Sequence, residues 1–254
     1  MEPREFLDIM HVAERLKDTI RHCTSSKGRP ESVAEHSWRL SLMAFLLKDQ
    51  FPDTDMDRVT EMCLIHDLGE CFTGDIPSFK KTSDDTARED RLLETWVDGL
   101  PEELRCRMKG LYSEMNALET KEARLYKCFD KLEAVIQHNE SPLDTWTGLE
   151  YELNRTYGTE IASERDFTKR LRKEILKDTE NKIETEKTGR NGSMEEQIIT
   201  ITVKTSGEKC ELDDEAIRKW YEDSVAGLFN PEYGIPEIGV SVRRIPLPGG
   251  EKDS

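Results

Sequence analysis

Four residues that lie far apart in the sequence have side chains of the kind that bind divalent metals. They are His36, the adjacent pair His66 and Asp67, and Asp130. Imidazole nitrogen and carboxylate oxygen together suit first-row transition metals such as manganese, iron, cobalt and zinc. Each residue also has an ordinary alternative, because core histidines and carboxylates at helix edges are common without a metal. Whether the four form one site depends on the elements that carry them.

Each of the four residues lies beside the apolar face of a predicted helix. Apolar residues spaced three and four apart predict the helices that matter here, which cover residues 33–47, 55–73 and 114–139. His36 shares the first apolar face, His66 the second, and Asp130 lies at the edge of the third. A buried carboxylate is costly unless it is paired or bound to a metal. Each ordinary role is reasonable for a single residue, but the position of all four beside the apolar faces of three helices is harder to explain without a shared ion.

The remaining sequence predicts a mainly α domain followed by a smaller unit. Further helices are predicted over residues 6–20, 83–100, 101–111, 143–157 and 163–186. The predicted organisation is a helical domain at residues 1–184, a polar linker at 185–196 and a small α+β unit at 197–254. The last unit is predicted from two alternating β-branched segments that flank one amphipathic helix. It carries no motif that assigns it a role.

Composition narrows the possible partners. Hydrophobic and charged residues each make up 35% of the 254 residues, and the formal net charge is −16. Such an acidic surface predicts no binding to a nucleic-acid polymer, and a phosphate ligand would need a few well-placed cations. The longest apolar runs are too short for a membrane span, and the first residues lack a signal-peptide pattern. We therefore expect a cytoplasmic protein with no membrane partner.

Three sequence segments resemble those of a known enzyme family. PESVAEHSW surrounds His36, LIHDLGECFTGDIP contains His66 and Asp67, and CFDKLEAV contains Asp130. Together they resemble the HD-domain metal-dependent phosphohydrolases, and specifically their 5′-deoxynucleotidase branch, over about residues 6–177. The resemblance implies an HD-domain helical bundle and a homodimer. It also implies one divalent transition metal, of which manganese, cobalt, iron and zinc are favoured over magnesium, held by those four residues.

The segment after the histidine–aspartate pair, ECFTGDIP, carries a candidate catalytic residue. Glu70 follows Asp67 by three positions, which would place both on one side of a helix and Glu70 next to the metal. A carboxyl group there is suitably placed to transfer a proton. In the family that the sequence resembles, the matching position is the catalytic acid or base. The alternative is a surface carboxylate at the end of a helix.

Candidate substrate contacts come mainly from the same resemblance. Arg21 matches an arginine that contacts the substrate phosphate, and its planar fork of donors suits that task. Asp75 matches a residue that contacts the sugar, where it would crowd a ribose 2′-hydroxyl. Lys81, or its neighbour Lys80, is a second candidate for the phosphate. His22 stands where bacterial members often have tryptophan, and its role is left open.

The expected activity is metal-dependent hydrolysis of deoxyribonucleoside 5′-monophosphates to deoxynucleoside and phosphate. Two alternatives from the same superfamily act on nucleoside triphosphates or on guanosine tetraphosphate. The second uses an adjacent Glu-Asp pair, whereas this chain has Glu70 followed by Cys71. A third alternative is a nucleotide-binding module without catalysis, against which the intact set of ligands and Glu70 argue.

Overall fold

The computed structural model describes residues 1–191, together with Glu215 and Lys219. It confirms the mainly α prediction. The helices of the described part are α1 Pro3–Ala13, α2 Val33–Leu46, α3 Met56–Ile65, α4 Glu70–Thr73, α5 Ser83–Asp98, α6 Glu102–Ala117, α7 Lys121–Glu140, α8 Glu150–Thr156, α9 Thr159–Ala162 and α10 Asp166–Asn191. Because α10 continues to Asn191, it overlaps the start of the predicted linker at 185–196. The predicted α+β unit at 197–254 lies outside the described residues apart from the two isolated positions.

The main core lies where α2, α3 and α7 pack against one another. Leu40 of α2, Val59 and Met62 of α3, and Phe129 of α7 are fully buried there. Their spacing along each helix follows the apolar face that the sequence predicts. Replacing a buried aromatic such as Phe129 with alanine costs about 3–5 kcal/mol of stability, since the transfer free energy and a cavity both count. The three helices that carry the predicted ligands therefore share one rigid core.

Side-chain caps set where these three helices begin. Ser32 caps α2 by accepting the backbone N–H of Glu35, whose own carboxylate accepts the backbone N–H of Ser32. Asp55 caps α3 and Thr120 caps α7 in the same way, each by accepting an N–H three residues ahead. A cap of this kind contributes about 1 kcal/mol. The caps fix where each helix begins, and the buried apolar residues determine which side of it faces the core.

The sequence prediction is wrong at residues 20 and 21. Helix α1 ends at Ala13, and after a short 3₁₀ helix the chain forms an antiparallel hairpin of β1 (Ile20–Thr24) and β2 (Pro30–Ser32). Arg21 therefore lies in a strand rather than at the end of the first helix. Ile20 continues the apolar spacing of the helix but is half exposed, so no core contact holds it in a helical conformation. Gly28, with φ of +76°, makes the turn between the strands.

The predicted third helix is interrupted at the histidine–aspartate pair. Helix α3 ends at Ile65, residues 66–69 form turns, and the short helix α4 follows. Gly69 allows α5 to approach closely, since a Cβ there would lie 2.8 Å from Cγ of Glu89. Gly74, with φ of +77°, ends α4. His66 and Asp67 therefore project from a turn, where both can face the same point more easily than on a regular helix.

The boundary between α6 and α7 also differs from the prediction. Helix α6 continues to Ala117 instead of ending near residue 111, and α7 begins at Lys121 instead of residue 114. Leu118 adopts a left-handed conformation with φ of +51°, which stops α6. The sequence gives little warning of this stop, because leucine is rare in that conformation.

Candidate metal centre

The structure brings the four predicted ligands together. Nε2 of His36 lies 3.2 Å from Nε2 of His66, and Oδ2 of Asp67 lies 3.0 Å from Nε2 of His66 and 3.8 Å from Nε2 of His36. Oδ1 of Asp130 lies 3.3 Å from Nε2 of His36 and 3.7 Å from Nε2 of His66. Atoms bonded to one ion at about 2.0–2.2 Å are themselves about 3.0–3.5 Å apart. His36, His66 and Asp67 thus form a group whose ligand atoms lie close enough together to hold one metal ion, and Asp130 lies beside both histidines of that group.

The second nitrogen of each histidine ring fixes which tautomer is available. Nδ1 of His66 lies 2.9 Å from the carbonyl oxygen of Cys63, which can only accept, so this nitrogen donates. Nδ1 of His36 lies 2.5 Å from Oε2 of Glu133 and donates to that carboxylate in the same way. In the neutral rings both Nε2 atoms then present lone pairs to the shared point. Two opposed lone pairs with the Asp67 carboxylate beside them favour positive charge at the point that they share.

The electrostatics of the two aspartates agree with a cation site. Burial alone would raise the pKa of Asp67, but the His66 imidazole beside it lowers that pKa to about 2. Burial is likewise outweighed at Asp130, where the Lys127 ammonium, 2.7 Å from Oδ2, holds the pKa well below its usual range. Both carboxylates are therefore ionised at neutral pH, as ligands must be.

Without an ion, a proton on His36 compensates for the negative charge. Burial and the Arg21 charge both lower the pKa of His36, but hydrogen bonds to Asp130 and Glu133 outweigh them and raise it to about 10. The site therefore attracts positive charge in either state. A metal would take the place of that proton, which is the usual linkage between metal binding and proton release.

Glu70 lies at the start of α4 and is buried. Its Oε2 atom has no hydrogen-bond partner among the described residues. Burial, together with the charges of Asp67, Asp75 and Glu89, raises the pKa of Glu70 to about 10. Arg21 acts in the opposite direction but does not prevent the shift. Perturbed carboxyls of this kind, next to a candidate metal centre, are typical of catalytic acids and bases.

Arg21 lies near the candidate centre although it is on a strand. Its guanidinium is 3.0 Å from Oε2 of Glu31 and 3.6 Å from Oε2 of Glu133. These contacts hold the guanidinium in a largely buried position. Its positive charge attracts the Asp67 carboxylate and lowers the pKa of Glu70. The structure thus places the predicted phosphate contact among the acidic residues of the candidate site.

Asp75 and Lys81 lie on the loop between α4 and α5. Burial raises the pKa of Asp75, while the Arg21 charge and a hydrogen bond from the backbone N–H of His22 oppose the rise. Nζ of Lys81 is 2.8 Å from Oε2 of Glu89. The Lys81 charge lowers the pKa of Asp75, and the Glu70 carboxyl in turn raises the pKa of Lys81.

The neighbouring Lys80 is exposed and lies over the Phe79 ring. Of the two lysines, Lys81 is therefore the one within electrostatic range of the candidate site. His22 borders the same loop. Its ring meets Phe79 edge to face, with centroids 5.6 Å apart, and its Nε2 lies 3.0 Å from Oε1 of the buried Glu150.

A buried carboxylate on α7 contacts a predicted ligand and is not among the site residues predicted from the sequence. Glu133 is fully buried and bonds directly to His36. It follows Asp130 by three residues, so both side chains project from one side of α7. The spacing of three residues between Asp130 and Glu133 is a sequence signal for this contact, because a second carboxylate on the core-facing side of a helix needs a partner.

The chain belongs to the HD domain family, whose model matches residues 13–172. Among its relatives is human 5'-deoxynucleotidase HDDC2, which is 32% identical over 141 residues covering 54% of this chain and 68% of the human protein. Another is 5'-deoxynucleotidase hdd1 of Schizosaccharomyces pombe, 26% identical over 181 residues covering 63% of this chain and 89% of the yeast protein. The family resemblance stated from the sequence motifs is confirmed.

Two solved structures share the fold. A "predicted metal-dependent phosphohydrolase" from Magnetospirillum magnetotacticum MS-1 matches with a TM-score of 0.60 and 23% identity, over 70% of this chain and 95% of that protein. A conserved hypothetical protein from Pyrococcus furiosus matches with a TM-score of 0.52 and 29% identity, over 68% of this chain and 98% of that protein. Together with the family model over residues 13–172, these likenesses confirm the predicted HD-domain helical fold.

Proposed function

We propose that this protein is a metal-dependent phosphoric monoester hydrolase that cleaves deoxyribonucleoside 5′-monophosphates into deoxynucleoside and phosphate. The observation that carries the proposal is the group of His36, His66 and Asp67 that could hold a metal ion, with Asp130 beside it and, nearby, the buried carboxyl of Glu70, whose Oε2 is unpaired among the described residues. The relatives named 5'-deoxynucleotidase support the substrate class.

The proposed metal ligands are His36, His66, Asp67 and Asp130. A divalent transition metal held by them would polarise a phosphoryl oxygen and make a water molecule more acidic. Manganese, cobalt, iron and zinc suit the mixture of nitrogen and oxygen donors, and magnesium, which prefers oxygen alone, suits it less. The chain's own contribution is to hold the four donors on α2, α7 and the turn after α3, around one packed core.

Glu70 is the proposed proton carrier. Its raised pKa means that the carboxyl keeps a proton at neutral pH when Asp67 is not neutralised. A cation bound beside Asp67 would lower that pKa towards neutrality, where a carboxyl can both take and give a proton. In this role a water oxygen would bond to phosphorus as the bond to the nucleoside 5′-oxygen breaks, and Glu70 would protonate that leaving oxygen and regain a proton from the water.

Arg21 and Lys81 are the proposed phosphate contacts. Since the chain is strongly acidic, a doubly charged phosphate needs local positive charge besides the metal. The guanidinium of Arg21 is already held by Glu31 and Glu133, so little side-chain entropy is lost when it binds a phosphate. Lys81 adds a second charge from the loop before α5.

Asp75 is the proposed sugar contact. It is half-buried on the loop that follows Gly74 and is anchored by the backbone N–H of His22. A carboxylate anchored at this position would contact the deoxyribose and leave no room for a 2′-hydroxyl.

The proposed assembly is a homodimer. Four large apolar side chains, which we call the α2 stripe, project outward from that helix at positions 38, 42, 45 and 46, and Trp38, Phe45 and Leu46 are 64%, 66% and 68% exposed. The α2 stripe contains no ionisable residue. Two copies of a chain with net charge −16 repel each other, so an uncharged surface is where they can meet.

No helix within the described residues is long and apolar enough to cross a lipid bilayer. The cytoplasmic location expected from the sequence stays a prediction, which cell fractionation would check.

Phosphate release from a panel of nucleotides tests the proposed activity. The panel contains deoxyribo- and ribonucleoside 5′-monophosphates, a deoxynucleoside triphosphate and guanosine tetraphosphate, each with manganese, cobalt, zinc or magnesium. Release of phosphate from the deoxyribonucleoside monophosphates above all others supports the proposal. Faster turnover of the triphosphate or of guanosine tetraphosphate would contradict the proposed monophosphatase activity and would favour hydrolysis of that substrate instead.

A further inference from the structure

The buried carboxylate of Glu133 connects two parts of the candidate site. Its Oε2 atom lies 2.5 Å from Nδ1 of His36 and 3.6 Å from the guanidinium of Arg21. Its Oε1 atom lies 3.6 Å from Nε of Arg39. One side chain of α7 thus contacts a proposed metal ligand on α2 and the proposed phosphate contact on β1.

The burial of Glu133 makes these contacts energetically important. The side chain has no access to water, and an isolated buried carboxylate would be strongly destabilising. Arg39 is itself held on the outer side by Gln137 and by both carboxylate oxygens of Glu140. The position of Glu133 is therefore fixed. Glu133 in turn fixes the positions of the His36 ring and the Arg21 guanidinium.

Two carboxylates compete for the single proton of a neutral His36. Asp130 lies 3.3 Å from Nε2, whereas Glu133 lies 2.5 Å from Nδ1. If the proton resided on Nε2, His36 would donate to Asp130 and would have no lone pair for a metal. The closer Glu133 draws the proton to Nδ1 and leaves Nε2 free. A carboxylate on the far nitrogen of a metal-binding histidine has this effect generally.

We infer that Glu133 is a positioning residue that serves the metal and the phosphate at once. It holds His36 in the tautomer that binds metal, and it holds Arg21 at the phosphate. This inference rests on the proposed function, because it assumes that the four residues bind a metal and that Arg21 binds the phosphate. It extends that function by coupling the two binding events through one carboxylate.

The test measures metal affinity in the absence of substrate, by calorimetric titration of the metal-free full chain with Mn²⁺. Glu133→Met removes the acceptor at similar volume and should weaken binding about 10–100-fold, the usual loss for a residue that orients a ligand. Glu133→Gln keeps an oxygen that can accept from Nδ1 of His36 and should recover part of the affinity. Both variants should also raise KM, because Arg21 loses a charged partner.

Two control variants separate this role from a general effect of burial. Glu31→Gln removes the other carboxylate of Arg21 and leaves the bond between His36 and Glu133 in place, so it should raise KM and weaken Mn²⁺ binding much less than Glu133→Met does. Glu152→Gln, an exposed substitution on α8 away from the site, should change neither quantity. If Glu133→Met does not fold, the Mn²⁺ affinity of Glu133→Gln relative to Glu31→Gln decides the question.

The inference is overturned if folded Glu133 variants bind Mn²⁺ as tightly as the wild type. It is also overturned if Glu31→Gln weakens Mn²⁺ binding as much as the Glu133 variants, because the effect would then act through Arg21. A wild-type chain that binds no divalent metal would instead refute the proposed metal centre itself. The outcomes for the inference and for the proposed function are therefore distinguishable.

Discussion

The Nε2 atoms of His36 and His66 face each other at 3.2 Å. Neither ring can turn away, because Nδ1 of His66 is bonded to the carbonyl oxygen of Cys63 and Nδ1 of His36 to Glu133. Two opposed lone pairs at this distance are unfavourable unless a proton or a metal lies between them. The relationship ties the chemistry of the site to the packing of α2 against α3, which sets the distance between the two rings.

Replacing Glu70 with glutamine should separate catalysis from metal binding. The amide is of the same size but cannot transfer a proton, so turnover should fall about 10²–10⁴-fold while metal affinity is retained. Steady-state phosphate release and Mn²⁺ titration measure the two quantities. Glu94→Gln, an exposed substitution on α5, is the matched control and should behave as the wild type. Loss of metal from the Glu70 variant would mean that Glu70 is a ligand.

The same substitution should change how stability depends on pH in the metal-free protein. The folded-state pKa of Glu70 is raised from 4.5 to about 10, so folding favours its protonated form. This contribution is fully present below about pH 4.5 and is lost as pH rises towards 10, at a slope of at most about 1.4 kcal/mol per pH unit. As pH rises from 5 to 9, the thermal unfolding temperature of the wild type should therefore fall relative to that of Glu70→Gln. A constant difference across that range would contradict the raised pKa.

Asp75→Ala should weaken the discrimination between deoxyribose and ribose. Removing the carboxylate opens space at the proposed sugar contact, so the ratio of kcat/KM for a deoxyribonucleoside monophosphate to that for its ribonucleoside counterpart should fall about 10-fold or more. The exposed Asp84, in the first turn of α5, provides the control substitution to alanine. An unchanged ratio would remove Asp75 from the sugar site.

Phe45→Glu should convert a dimer into a monomer. It places a charge in the middle of the α2 stripe, where two copies would have to bury it on both sides of the interface. Light scattering should report half the wild-type mass, with the fold retained by circular dichroism. Leu149→Glu, at another exposed apolar position, should leave the mass unchanged. A wild-type chain that is already monomeric would refute the proposed dimer.

Local sequence signals were sufficient to place the apolar faces of the helices that carry the site, although not the end of α3 or the start of α7. Helices α2, α3 and α7 begin at cap residues that lie within a few positions of their apolar faces, and each face buries the residues that its spacing predicts. His36, His66 and Asp130 could be assigned to one site because they lie beside those faces. The prediction of the metal set thus rested on periodicity and on the resemblance of the surrounding motifs.

Features that depend on contacts between elements could not be predicted in this way. The hairpin at Ile20–Thr24 and Pro30–Ser32 continues an apolar spacing that is equally compatible with a helix. The turn at residues 66–69 depends on the packing of α5 against Gly69. Arg21 was assigned to the substrate by resemblance, while its contacts with Glu31 and Glu133 appear only when β1 packs beside α7.

Metal stoichiometry, followed together with phosphate release, tests the central claim most directly. Metal-free chain is titrated with Mn²⁺ while phosphate release from a deoxyribonucleoside 5′-monophosphate is recorded, for the wild type and for Asp67→Ala. Asp57→Ala, on the exposed side of α3, is the control. We predict wild-type activity that rises to a plateau at one metal per chain, and neither tight binding nor turnover in Asp67→Ala. Full activity of the metal-free protein, or an active Asp67→Ala variant, would contradict the account.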